Sequence, residues 1–346
     1  MSGAPPISRA GAPGTGAGGS GAREDARAGT GADSRATGGA ERERSWTVLE
    51  LLQWTTDYFK RHGIESARLD AEVLLAHALE TKRLRLYIDY EKPVLPAERD
   101  RFRALVARRA RDRVPVSLLL GEREFWSLRF VVTSDVLTPR PETETLVEVA
   151  LDRAKRWEAA RAGAANVADA LNPIRILDIG TGSGAIALSI ASELPHAALT
   201  ATDISEAALQ IAARNADELL QGERVRLLKG DLFEPVGSER FDLILSNPPY
   251  IGTRMRDEAG SLPPELSHEP EQALFAGPDG LDVIRRLVAG AGEHLERDGW
   301  LFFELSPEQA DEAERMLMQA GFEDVTRRFD LASRPRVVGA RWPGEE

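Results

Sequence analysis

This 346-residue sequence predicts an α/β fold: a parallel sheet covered on both faces, preceded by a small helical region. Three observations point to it. After Pro141, short apolar runs without polar–apolar alternation recur between stretches of helical period, the pattern of strands buried on both faces. The first of these runs, from Ile174, leads into a turn dense in glycine and then into a helical stretch. Upstream, residues 46–113 carry their apolar side chains at helical spacing.

The elements follow in order. Residues 1–44 hold 11 of the 30 glycines, and apart from Met1 their only aliphatic side chain larger than Ala and Pro is Ile7. Too little apolar surface is present to offset chain entropy, so this segment is expected to be a disordered, dispensable tail. Thr47 with Glu50 forms a capping box ahead of Leu51, Leu52 and Phe59, and Gly63 stops that helix. Ser66 to Glu80 predicts a second helix through Leu69, Val73, Leu74, Ala78 and Leu79. Pro96 opens a third, through Phe102, Leu105 and Val106 to about Arg113. Its run from Arg99 to Arg113 has seven Arg against two Asp, which reads as a solvated face. The sharper reading is a docking face for an acidic or RNA-associated partner. Residues 114–138, with Phe125, Trp126, Leu128, Phe130 and Val132, predict a short hairpin or an extended linker.

Strands are expected at Ile174–Ile179, Ala198–Asp203, Val225–Leu228, Phe241–Ser246 and Trp300–Leu305, with helices at Ala185–Glu193, Glu206–Leu220 and Leu281–Leu295. Val325–Phe329 and Arg336–Ala340, joined by a short connection, predict an antiparallel hairpin at one sheet edge. The expected domains are a tail (1–44), a helical domain (45–113), a hairpin linker (114–138) and a sheet domain (139–346).

Composition removes several function classes. With 44 Lys+Arg against 56 Asp+Glu the net charge is −12, a poor basis for stable nucleic-acid binding, which needs phosphate neutralisation. The absence of Cys excludes disulfides, thiolate metal sites and a Cys nucleophile. Five His with no pair at helical ligand spacing lead to the expectation of no metal centre. No apolar run approaches the ~20 residues that span a bilayer, and the N-terminus lacks the apolar core of a secretory signal. A cytoplasmic protein without membrane partners is expected.

Asp178-Ile-Gly180-Thr181-Gly182-Ser183-Gly184 is a strand end, a glycine turn and a helix start. Glycines allow the turn and a close ligand approach, and the helix N-terminus offers unpaired amides. Asp203 ends the next strand, about 20 residues on, where a carboxylate accepts hydrogen bonds from ribose hydroxyls. It also stands where an acid can cap the following helix. Asp231 and Leu232, after the third strand, are placed to meet an adenine edge and face, or to serve as turn residue and core filler. NAD and S-adenosylmethionine (SAM) share an adenosine, and these residues do not separate them.

Asn247-Pro248-Pro249-Tyr250 does. It follows the fourth strand at the carboxyl edge, where ligands of open α/β sheets bind. Two prolines fix the loop and remove two donors, leaving the Asn247 side-chain oxygen and the Pro248 carbonyl as rigid acceptors. Tyr250 is expected to supply an aromatic wall. Such acceptors suit an amide or aromatic NH2, a poor nucleophile because its lone pair is delocalised. Accepting both hydrogens turns the lone pair toward an electrophilic methyl group and favours the positive charge that develops on nitrogen.

With these motifs together, the sequence from about Trp46 to Arg341 resembles the peptide chain release factor glutamine methyltransferases. The markers are Val136-Leu-Thr-Pro139-Arg-Pro141-Glu142-Thr-Glu144, the glycine turn, Asp231-Leu-Phe233, Ser246-Asn-Pro-Pro-Tyr-Ile251, Glu269-Pro270 with Asp279-Gly-Leu281, and Arg334-Pro-Arg336-Val-Val. The resemblance implies a class I SAM-dependent methyltransferase with a Rossmann-like seven-stranded sheet and a small N-terminal helical domain that contacts the release factor. It also implies that Gly180, Thr181, Gly182, Ser183 and Gly184 cradle SAM, Asp203 binds ribose, and Asp231 and Leu232 lie by the adenine. Pro139 to Glu142 would close the cofactor side. Asn247, Pro248, Pro249 and Tyr250 would hold the substrate glutamine, with Asn247, Pro248 and Tyr250 catalytic and Asn247 also beside the cofactor. Asn-Pro-Pro-Tyr is shared with nucleic-acid amino-methylases, acting on DNA adenine or ribosomal RNA, which stand as the alternative. A non-catalytic SAM-binding module is a third reading, opposed by the intact Asp178, Gly180, Gly182, Asp203 and Asn247.

Overall fold

α1 (Val48–Arg61) begins on the expected capping box: Glu50 N–H donates to Thr47 Oγ1 at 3.2 Å and Thr47 N–H donates to Glu50 Oε2 at 2.9 Å. In the computed structural model, which describes residues 45–162, 172–258, 260 and 262–344, α1 packs Leu51, Leu52 and Phe59 against α2 (Ala67–Ala78) and α4 (Pro96–Arg111). The expectation for residues 1–44 lies outside the described residues. A short α3 (Arg83–Ile88), which the sequence reading passed over, adds Leu86 to this core.

The Arg-rich helix corrects one expectation. Arg109 is not solvated: its side chain is 7% exposed, Nε donates to Asp70 Oδ2 at 2.7 Å, and Nη1 donates to Glu265 Oε1 at 2.8 Å. Arg113 Nη2 joins Glu265 at 2.7 Å. Arg109 shares the buried face of α4 with Phe102, Val106 and Ala110, so the charge is accommodated by pairing. Glu265 belongs to the loop that follows Asn247–Tyr250, so α4 is tied to that loop.

Residues 114–138 hold the expected hairpin, preceded by a short helix. α5 (Val116–Leu120) ends at Gly121, whose φ of +74° is left-handed, and leads into β1 (Glu122–Phe125) and β2 (Leu128–Val131). Trp126 and Ser127 form the two-residue turn with φ of 51° and 57°, the backbone that matches strand twist in tight hairpins. The Trp126 N–H donates to Glu144 Oε1 at 3.0 Å, which helps hold that conformation. Phe125 and Phe130 bury into the core that holds Ile176 and Leu188, and Asn215 Oδ1 accepts from Val131 N–H at 2.7 Å.

α6 (Glu144–Ala162) then leads to the sheet: β3 (Arg175–Ile179), α7 (Ala185–Glu193), β4 (Ala198–Asp203), α8 (Glu206–Glu218), β5 (Val225–Lys229), β6 (Phe241–Ser246), α9 (Arg254–Asp257), α10 (Asp282–His294), β7 (Leu295–Glu304), α11 (Ala310–Gln319), β8 (Glu323–Phe329) and β9 (Pro335–Arg341). Among the described residues the strand order is β5-β4-β3-β6-β7-β9-β8, a seven-stranded sheet. β3 to β7 run parallel, and β9 is antiparallel to both β7 and β8, so the expected edge hairpin is present. Leu243, Leu245 and Phe302 face one core, whereas Ile244, Leu301 and Phe303 face the other. Both faces are covered, which is why the strands read as continuous apolar runs. The chain builds outward from β3 through β4 to β5, then returns to place β6 on the other side of β3. That reversal opens a crevice at the carboxyl ends of β3 and β6. Among the described residues, no helix is long and apolar enough to cross a membrane.

Truncating Arg109 to Ala leaves the buried Asp70 carboxylate without its cation. Urea unfolding should show a loss of about 3–5 kcal/mol, whereas Arg103→Ala, on the solvated side of α4, should stay within about 0.5 kcal/mol of the parent.

Candidate active site

A cleft of about 280 Å³ lies in that crevice, lined by Gly180, Thr181, Gly182 and Ser183 after β3, Asp203 after β4, Asp231 and Leu232 after β5, and Asn247, Pro248 and Pro249 after β6. Pro139, Arg140 and Thr143 close the opposite side. Sequence-distant motifs therefore meet in one place.

The glycine turn is left-handed at Gly180 (φ +72°) and Gly182 (φ +56°), and open space surrounds the position of a side chain at each. Gly184 has another task. It caps α7 at φ +82°, and a Cβ there would stand 2.9 Å from Leu188 Cδ1, so it packs the helix rather than the cleft. The loop is pinned by N–H donation from Gly180 and Thr181 to Thr202 O, at 2.8 and 3.0 Å.

Asp178 is fully buried. Thr181 Oγ1 donates to its Oδ2 at 2.7 Å, and Oδ1 has no partner among the described residues. Burial pushes its carboxyl up to about 7, against the Thr181 hydrogen bond. Asp203 accepts from Gly182 N–H through Oδ2 and from Ser205 N–H through Oδ1, both at 2.8 Å. The α8 cap is Ser205, whose Oγ accepts from Ala208 N–H at 3.2 Å. The capping alternative for Asp203 thus falls to its neighbour, and Asp203 braces the glycine loop at the cleft wall. Burial raises its carboxyl, opposed by these backbone donors. Asp231 accepts from Arg286 Nη2 at 2.6 Å, and Leu232 sits at φ 48° on the cleft side.

The end of β6 is held to the end of β3 by Ser246 Oγ, which donates to Ile179 O at 2.8 Å. Next along the chain, Asn247 Nδ2 donates to Thr143 Oγ1 at 3.1 Å. Its Oδ1 is buried and has no partner among the described residues. Asn247 itself lines the cleft together with Pro248 and Pro249.

Comparison with known proteins places this arrangement. Residues 50–121 match the family profile described as the PrmC N-terminal domain, and residues 162–261 match that of the methyltransferase small domain. The release factor glutamine methyltransferase of Geobacter sulfurreducens is 43% identical over 302 residues, covering 87% of this chain and 99% of that protein. The proteins of the same name from Rhodopirellula baltica and Xylella fastidiosa are 43% and 44% identical, over 85% and 80% of this chain and 95% and 94% of theirs. This chain belongs to the release factor glutamine methyltransferase family.

In this methyltransferase Tyr250 is held through both its hydroxyl and its backbone. It is half-buried against the core that holds Ile244 and Phe303, and its hydroxyl donates to Glu304 Oε1 at 3.1 Å. Burial and the neighbouring Glu304 raise the phenol above its ordinary range. Gln309 Nε2 donates to Tyr250 O at 2.9 Å, and Gly280 comes so close that a Cβ would meet that oxygen at 2.1 Å. The loop is thus locked from both sides.

Three residues that brace the site had no assigned part in the sequence analysis. Thr143 orients Asn247. Glu304, at the end of β7, binds Tyr250 and is pushed up to about 7 by burial. Glu269 accepts from Thr138 N–H at 3.2 Å and pairs with Arg140, clamping the segment that carries Thr143. Their signal was an acid at the end of an apolar strand and a Glu-Pro pair, visible in the sequence but without an evident partner.

Asp178 makes stability depend on pH. Its carboxyl is raised in the folded chain, so its protonated form favours folding, and that contribution is lost as pH rises from about 4 through about 7. Relative to Asp178→Asn, the parent should lose on the order of 2–4 kcal/mol of unfolding free energy across that window. Denaturant titrations at pH 5 and 8 without cofactor would measure it, and equal differences at the two pH values would contradict the assignment.

Proposed function

We propose that this chain transfers a methyl group from SAM to the side-chain amide nitrogen of the glutamine in the Gly-Gly-Gln motif of peptide chain release factors, acting in the cytoplasm in support of translation termination. The observation that carries this reading is the Asn247 side chain. Its amide is anchored on Thr143 through Nδ2, and its buried Oδ1 is left as an unused acceptor at the carboxyl edge of β6.

The cleft suits the cofactor. Gly180 and Gly182 leave open space beside their backbone, Asp203 stands at the wall with its carboxylate braced, and Asp231 and Leu232 lie further along the same wall. These residues, with Thr181 and Ser183 beside them, would hold SAM, which supplies a methyl group made electrophilic by a sulfonium. Asn247 Oδ1 and the Pro248 carbonyl accept the two hydrogens of the glutamine amide and hold its plane, so the nitrogen lone pair faces the methyl in line. The same acceptors stabilise the positive charge that grows on nitrogen. The N-methylated amide cation is acidic and releases its proton without a dedicated base. Pro249 stiffens the loop. Tyr250 acts by anchoring it to Glu304. The helical region contacts the release factor. The net charge of −12 favours a protein substrate over nucleic acid.

Incubation with radiolabelled SAM and, separately, release factor, ribosomal RNA and DNA tests the proposal. Label on the release factor supports it; label confined to nucleic acid overturns it. Asn247→Ala should lower the single-turnover rate by roughly 10²–10³ with SAM affinity changed far less. Asp203→Ala should do the reverse, weakening SAM by about 1–3 kcal/mol in calorimetry.

A further inference from the structure

Residues 264–276 touch three parts of the fold in turn. At the start, Glu265 Oε1 accepts from Arg109 Nη1 in α4 at 2.8 Å and from Arg113 Nη2, just past that helix, at 2.7 Å. His268 adds a second tie to the same helix end, its Nε2 donating to Asp112 O at 2.7 Å. In the middle, Glu269 accepts from Thr138 N–H and pairs with Arg140, while Pro270, Gln272 and Ala273 line the cleft. At the end, the segment pairs with the residue after Tyr250: Ile251 N–H donates to Leu274 O at 2.9 Å, and Ala276 N–H donates to Ile251 O at 3.1 Å. One short strap therefore runs from the helical region, past the cleft, to the end of the Asn247–Tyr250 loop.

The start of the strap is held by a shared cation. Arg109 gives Nε to the buried Asp70 of α2, at 2.7 Å, and Nη1 to Glu265. A guanidinium is a rigid planar fork, so the bond to Asp70 sets the direction in which Glu265 must lie. Burial raises the Glu265 carboxyl, but Arg109 and Arg113 outweigh it and hold the group below its ordinary range. Removing the Glu265 carboxylate leaves Arg109 still paired with Asp70. The helical core then keeps its own ion pair, and what is lost is the register between α4 and the strap. We propose that Glu265 is a positioning residue for methyl transfer: clamped by Arg109 and Arg113, it sets the distance between the helical region and the Asn247–Tyr250 loop, so that a release factor seated on the first delivers its glutamine to the second. This rests on the reading of the release factor as substrate, with the helical region as its contact and Asn247 as the acceptor of its amide.

The kinetic signature follows from which parts the clamp touches. The glycine turn and Asp203 lie outside it, so SAM should bind as before. The Asn247–Tyr250 loop has fastenings of its own, through Ser246, Gln309 and Glu304, and none of them involves α4. The surface of the helical region is also unchanged, so a release factor should still dock. Contacts remote from the reacting atoms help the reaction only when they hold those atoms in line. With the clamp open, the docked amide arrives out of line, and the loss falls on kcat rather than on KM.

The test is methylation of intact release factor at saturating SAM by the full chain and by Glu265→Ala, Glu265→Gln, Arg113→Ala and the Arg113→Ala/Glu265→Ala pair. Glu265→Ala should lose roughly 10–100-fold in kcat, the scale for misplacing a reacting group. Its KM for release factor should stay within about threefold of the parent, and its SAM affinity by calorimetry within about twofold. Glu265→Gln keeps an acceptor for Arg109 and should recover part of the rate. Arg113→Ala should lose less, and the pair should be no more than about twofold worse than Glu265→Ala, because Arg113 acts through Glu265. Melting of Glu265→Ala should stay within about 4 °C of the parent. Parental kcat in Glu265→Ala would overturn the proposal. So would fully additive losses in the pair, a raised KM with unchanged kcat, or a kcat loss matched by an equal loss of SAM affinity. Asn247→Ala is the control: parental turnover there, or no label on release factor with the parent chain, would sink the underlying reading. An inactive Asn247→Ala beside unaffected Glu265 variants would sink the Glu265 assignment alone.

Discussion

A buried amide oxygen with no partner among the described residues is the constraint on which the rest of the site depends. Leaving such an acceptor unsatisfied costs about 1–3 kcal/mol, and the side chain would relieve that cost by turning if it were free to turn. The loop that carries it is held on several sides. Ser246 fastens the end of β6 to the end of β3, Thr143 accepts one Asn247 amide hydrogen, and Gln309 and Gly280 lock the carbonyl of Tyr250. Two prolines stiffen what lies between. The acceptor is therefore oriented before any substrate arrives, which is how electrostatic stabilisation avoids reorganisation during the reaction.

The same sheet edge gathers three buried acids near strand ends: Asp178 in β3, Asp203 ending β4 and Glu304 ending β7. Burial raises all three. Around a cleft proposed for a cationic cofactor this is physically coherent, since an arriving positive charge favours the ionised form of each acid. Arg109 and Arg113 grip Glu265, and Arg140 grips Glu269, so the loop after Asn247–Tyr250 is held by α4 and by the segment carrying Thr143.

What was legible in the sequence was whatever repeats locally. The capping box, the continuous apolar strands, the glycine turn and the edge hairpin all have short-range signatures, and each is found where it was expected. The cleft-lining residues were legible too, because motifs at the carboxyl ends of parallel strands converge by topology. Pairings across long separations were not. Arg109 lay hidden within a run of arginines because nothing local shows which of them faces Asp70 and Glu265. The hairpin of residues 122–131 was expected, but its anchors, Glu144 and Asn215, lie elsewhere in the chain and left no local sign. The bond from Tyr250 to Glu304, 54 residues away, left no local sign. Thr143 had no visible task until Asn247 was set beside it.

The central claim is that Asn247 presents a fixed acceptor to the reacting amide. It is tested most directly by a crystal structure of the chain with S-adenosylhomocysteine and a Gly-Gly-Gln peptide. The account predicts the glutamine Nε2 within about 3 Å of Asn247 Oδ1, a hydrogen-bond distance, with Nδ2 still on Thr143 and the backbone of the loop unmoved. A glutamine amide seated away from Asn247, or bound to a flipped Asn247 through Nδ2, would contradict it.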